Sequence, residues 1–168
     1  MGLLRAPADA GHAPSQSLLA FILERADLPE AAARLYRQAA AQGDAEAQAA
    51  LASLYLTGRG IAKDEKQALL YFSKAAESGH ALAIQVLADA HLSGLMGLAD
   101  GPRDNSRTVA VLRRAAEQGH LPSIDALAEA YRVGGFDLRA DAEQAAHWRA
   151  RGADLRARRA GPALKGKP

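Results

Sequence analysis

Ala39-Ala40-Ala41-Gln42-Gly43, Ala75-Ala76-Glu77-Ser78-Gly79 and Ala115-Ala116-Glu117-Gln118-Gly119 are three copies of one phrase. Their glycines stand 36 and then 40 residues apart. A recurrence in this range marks a stacked-repeat architecture, in which each copy is one supersecondary unit. Fifteen residues beyond each phrase glycine comes another, at Gly58, Gly94 and Gly134.

Between the glycines, Ala47, Leu51 and Tyr55 step by four residues, as do Ala83, Leu87 and His91, and Ser123, Leu127 and Tyr131. Such steps keep one face of a helix. Asp64, Asp104 and Asp141 then stand before Ala68, Thr108 and Ala145. An aspartate there accepts bonds from the free amides of a first helical turn. The second helix carries Tyr71 and Phe72, then Val111 and Leu112, then Trp148 in its middle. One unit is helix, glycine turn, helix, glycine turn. So short a pair cannot bury its apolar face alone, whereas stacked neighbours can.

These residues resemble the Sel-one-like repeat, a relative of the tetratricopeptide repeat. Leu51, Tyr55, Gly58, Gly60, Asp64, Tyr71, Ala75, Ala76 and Gly79 match its pattern in order. His91, Val111 and the ending Gly152-Ala153-Asp154-Leu155-Arg156 depart from it. The resemblance implies an all-α, right-handed α-solenoid of antiparallel helix pairs, here about eight helices. It also implies a non-enzymatic adaptor or scaffold that captures a partner peptide in its concave groove.

The expected organisation is a flexible lead over 1–14, with Gly2, Pro7, Gly11 and Pro14, then a degenerate capping pair over 15–43 whose first helix lacks the family's anchors. Repeats follow over 44–79, 80–119 and 120–156. The second repeat holds a loop insertion over 94–104. A basic, disordered tail takes 157–168. In the loop, Leu95, Met96 and Leu98 either tuck onto the neighbouring unit or form a partner-binding knob.

With Leu51, Leu87 and Leu127 as core anchors, the groove falls to Ser53, Gln85, Asp89, Asp125, Glu129 and Arg132. It is expected to be acidic toward its C-terminal half and to favour a basic peptide, unless these acids are only a solvated face. The chain's +2 net charge divides into an acidic body and a basic end bearing Arg156, Arg158, Arg159, Lys165 and Lys167. That end could be solvated, contact nucleic acid or an anionic surface, or lie across the acidic groove. It lacks the interleaved aromatics of a base-stacking surface. A partner-specific inhibitor or immunity-type protein, using the 94–104 loop, is the remaining alternative.

There is no cysteine, so disulfides and thiolate chemistry are excluded. The five histidines show no helical zinc spacing; His80 and His120 fall at helix starts. No nucleophile motif or phosphate loop is present. No catalytic residue, metal or cofactor is expected. No stretch approaches the roughly 20 apolar residues of a membrane span. A soluble, cytoplasmic monomer or weak homo-oligomer is expected, exported only if a leader precedes this sequence.

Overall fold

The computed structural model describes residues 2–96, 98 and 104–160. The chain divides into two compact units, Met1–Gly101 and Pro102–Pro168. The first holds α1 (Gly2–Asp9), α2 (Ala13–Arg25), α3 (Pro29–Ala41), α4 (Ala45–Thr57), α5 (Glu65–Glu77) and α6 (Ala81–Ser93). The second holds α7 (Asn105–Glu117), α8 (Leu121–Val133) and α9 (Ala142–Ala160). Among the described residues there is no strand. Successive helices pack on one another within each unit, most closely as the hairpins α2/α3, α4/α5 and α8/α9.

Local signals set these boundaries. Asp44 accepts from the Ala47 amide at 2.7 Å, Asp64 from Lys66 and Gln67 at 3.0 Å, Asp104 from Arg107 at 2.9 Å and Asp141 from Gln144 at 3.0 Å. Each satisfies amides that the first turn leaves without an intrahelical partner. His80 does the same for α6, its Nδ1 accepting from the Ala83 amide at 3.2 Å. Asp44→Ala and Asp64→Ala should each lower stability by about 1 kcal/mol, measurable by urea unfolding.

The first core is dense in alanine: Ala20, Ala32, Ala39 and Ala47 are fully buried around Tyr36, Leu51 and Leu54. Small side chains let helix axes approach, and the few large ones fill the layers between. Tyr55 and Tyr71 stack with ring centroids 5.9 Å apart. Tyr36 lies buried with its hydroxyl donating to Glu24 Oε2 at 3.2 Å. Burial first, then the Glu24 charge and hydrogen bond and the Glu46 charge, hold its phenol well above the ordinary value. The folded state therefore keeps a proton that the unfolded chain loses above about pH 10, so stability should fall as pH rises past that point. Tyr36→Phe should flatten the decline, read as melting temperature against pH.

Three expectations are corrected. The lead is not free: α1 is helical, Ala8 is buried, and Gln16 Nε2 donates to the Ala8 carbonyl at 3.1 Å. There are thus nine helices among the described residues. The first helix of the N-terminal pair carries the leucine anchor, with Leu23 in place of the tyrosine. Leu19 of α2 is buried like Leu51, Leu87 and Leu127, and Leu23 packs on the core as Tyr55 does. Finally, residues 157–160 are not a disordered tail but the last turn of α9.

The arginines of α9 explain that last point. Arg151 donates to the Glu117 carbonyl at 2.6 Å and Arg159 to the Gly119 carbonyl at 3.2 Å. Both are carbonyls at the α7 C-terminus, where cations are favoured. Leu155 lies beside Gly119, Gly152 leaves no room for a β-carbon next to Ile124, and Arg156 pairs with Asp125.

Candidate functional site

The A-helices α2, α4, α6 and α8 share one register. Ser53 of α4 is exposed, its hydroxyl donating to the Ala49 carbonyl at 3.1 Å. Gln85 is half-buried and Asp89 exposed on α6, opposite the buried Ile84 and Leu87. Asp125 and Glu129 occupy the matching positions of α8 in the second unit and are also exposed.

The acidity expected over Asp125 and Glu129 is offset by the chain's own arginines. Arg156 of α9 holds Asp125. Arg132 forks onto Glu129, its Nε donating to Oε2 at 2.8 Å. That hydrogen bond, against an opposing effect of burial and with the Arg132 and Arg149 charges, keeps the Glu129 carboxyl below its usual range. Arg158 likewise pairs with Asp154 at 2.9 Å. Arg156, Arg158 and Arg159 thus all engage their own chain, while Lys165 and Lys167 lie outside the described residues.

One residue of the expected groove, Asp89, meets two of the loop, Leu95 and Met96, in the first unit. A cleft of about 180 Å³ is lined by Leu56 of α4, Glu65 of α5, Val86, Asp89 and Ala90 of α6, and Leu95 and Met96 of the turn that follows. Leu95 is 63% exposed while Met96 is buried, so the loop both tucks in and projects. Leu98 is half-buried. Glu65 pairs with Lys63 at 2.9 Å. Sequence reasoning missed Val86 and Glu65. Val86 adjoins Gln85 on the same face, and Glu65 is the first residue of α5, so helix register was the signal that could have found both.

The second unit repeats this arrangement. Asn105, Ala126, Glu129, Ala130, Gly135 and Phe136 line a cleft of about 450 Å³. Each stands 40 residues beyond Glu65, Val86, Asp89, Ala90, Leu95 and Met96 in turn. Met96 and Phe136 both hold positive φ, 56° and 54°, where a side chain is strained. His80 and His120 are helix caps, not cleft residues: Nε2 of His80 sits 3.0 Å from Glu46 and Nδ1 of His120 lies 2.8 Å from the Ser123 hydroxyl.

Repeated helix hairpins with alanine-lined interfaces, offering clefts along their A-helices and turns, define a helical repeat protein of the solenoid class. The chain belongs to the Sel1 repeat family, whose profile matches residues 19–44, 45–80, 81–120 and 123–155.

A Sel1 repeat protein from Oxalobacter formigenes superposes with a TM-score of 0.77 at 26% identity, over 92% of this chain and 63% of that one. A protective antigen of uropathogenic Escherichia coli with an SLR fold gives a TM-score of 0.68 at 28% identity, over 90% of this chain and 32% of that one. An uncharacterized protein of Neisseria meningitidis serogroup B is 37% identical over 93 residues, which is 55% of this chain. The match spans 20% of that relative's length. Sel1 repeats are typically non-catalytic scaffolds for protein interaction. Among the described residues no helix is long and apolar enough to cross a membrane.

Proposed function

We propose that this chain is a non-enzymatic interaction scaffold that captures a partner segment at the α4–α6 cleft. The observation that carries the reading is the meeting of the exposed Leu95 and the Leu56 and Val86 walls with two carboxylates, Glu65 and Asp89, in one recess. Its apolar walls take an aliphatic side chain, and its carboxylates favour a lysine or arginine beside it. Complementary charge fixes orientation and association rate, while apolar burial supplies affinity.

Capture from the source cell's lysate with the intact chain and with a Leu95→Glu/Asp89→Lys variant tests this. Both sites are exposed, so circular dichroism should not change. A partner held by the intact chain and reduced at least tenfold on the variant supports the reading. Equal capture by both removes the cleft from the interaction. The basic-tail alternative is less favoured, because its described arginines already bond to groups of their own unit.

A further inference from the structure

A second recess lies at the other end of the first unit, on α2. Pro14, Ser17, Leu18 and Phe21 form one stripe along that helix and line a cleft of about 360 Å³ that Tyr36, Asp44 and Glu46 complete. Leu18 is 48% and Phe21 53% exposed, so two large apolar side chains stand adjacent in water. In the shared A-helix register, Phe21 takes the place of Ser53 and Asp89, and Leu18 that of Ala50 and Val86. The bulky pair therefore belongs to α2 and is not demanded by the repeat.

Ser17 supplies an independent observation. It is 5% exposed, and its hydroxyl is buried without any hydrogen-bond partner. Nearly all buried polar atoms in proteins are partnered, so such an orphan calls for an explanation. Ser17 lines this cleft, where a bound backbone could meet it. Charge adds the third element. Asp44 caps α4, and Glu46, 77% exposed, approaches His80 with one oxygen. Both residues line the recess together with Leu18 and Phe21.

We propose that this α2 cleft is a second docking site, distinct from the α4–α6 cleft, for a peptide segment in which a bulky apolar side chain stands beside a lysine or arginine. The apolar side chain lies between Leu18 and Phe21 over Tyr36. The segment's backbone satisfies the Ser17 hydroxyl, and its cation meets Asp44 and Glu46. Flat apolar exposure alone would accept many ligands. The orphan hydroxyl and the two carboxylates restrict the choice to an amphipathic, cationic one.

The test is selection of a phage-displayed random short-peptide library on the intact chain, each enriched peptide then being rebound to Phe21→Glu. Enriched peptides that carry the apolar–basic pair, and that bind Phe21→Ala at least about tenfold more weakly, support the site. Ser17→Ala should weaken the same peptides about threefold while leaving the melting temperature unchanged or raised, since it removes an unsatisfied buried hydroxyl. A merely structural serine would not separate these two readouts. Enriched peptides that bind Phe21→Glu as tightly as the intact chain overturn the proposal, as do enriched peptides without a base. If those peptides are instead lost on Leu95→Glu/Asp89→Lys, the α4–α6 reading stands and this one falls. Selection of no peptide at all removes both.

Discussion

Leu87→Asp is expected to strip α6 from the first unit and to lower that unit's stability by at least about 4 kcal/mol. Leu87 is 4% exposed and lies on the helix face that also buries Ala83, Ile84, Ala88 and Ala90. A carboxylate there loses its hydration. Repeat units depend on contacts with their immediate neighbours, so loss of α6 also uncovers α5, against which α6 packs. Far-ultraviolet circular dichroism should show reduced helicity and a lower, broader transition. Asp89→Asn, two residues away, should stay within about 0.5 kcal/mol of the parent, because the side chain is exposed and surface charges contribute little. Reversal of these two outcomes would show the phase of α6 to be wrong, and the cleft built on Val86 and Asp89 would fall with it.

That phase was legible without coordinates. Steps of four from Ala83 through Leu87 to His91 define a face, and the matching steps in two other copies leave little freedom in placing it. The aspartate caps were legible for the same reason: each signal is local, carried by a residue and its neighbours. What escaped the sequence depends on contacts between distant residues. Arg156 reads as part of a basic tail until α9 brings it against Asp125, 31 residues away. The same holds for Arg159 and the Gly119 carbonyl. Basic composition favoured disorder there, but Leu155 over Gly119 and Gly152 against Ile124 anchor the helix before its polar end. Phe21 escaped for another reason. The N-terminal pair lacks the repeat's tyrosine and glycine turn, so the repeat spacing does not by itself carry the register to α2. Spacing from Leu19 to Leu51 would have placed Phe21 opposite Ser53. The candidate clefts were half legible: Asp89 and the 95–96 turn were each singled out, but only folding shows that they share one recess.

Gly60→Ala is expected to be the most damaging conservative change in the chain. Gly60 stands two residues past the glycine cap of α4, the place held by Met96 after α6 and Phe136 after α8. All three hold positive φ, yet their surroundings differ. A β-carbon on Gly60 would overlap the Pro29 carbonyl carbon and lie 2.6 Å from its oxygen and 2.8 Å from the Glu30 nitrogen. These are backbone atoms at the start of α3, so no side-chain rotation relieves the overlap. The turn after α4 must separate from α3, disturbing the core that holds Tyr36 and Leu51. At φ +72° an alanine also carries about 1–2 kcal/mol of backbone strain. Strain and separation together should cost about 3 kcal/mol or more, roughly 10–20 °C in melting temperature for a unit of this size. Gly43→Ala is the control. Its φ is +89° and nothing lies within 4 Å of the added carbon, so it should register the strain alone, about 1 kcal/mol. Equal losses for the two would mean that the turn and α3 are not in contact. A large excess for Gly60 explains why copies two and three, which carry Met96 and Phe136 there, have open clefts at a position that copy one closes with its backbone.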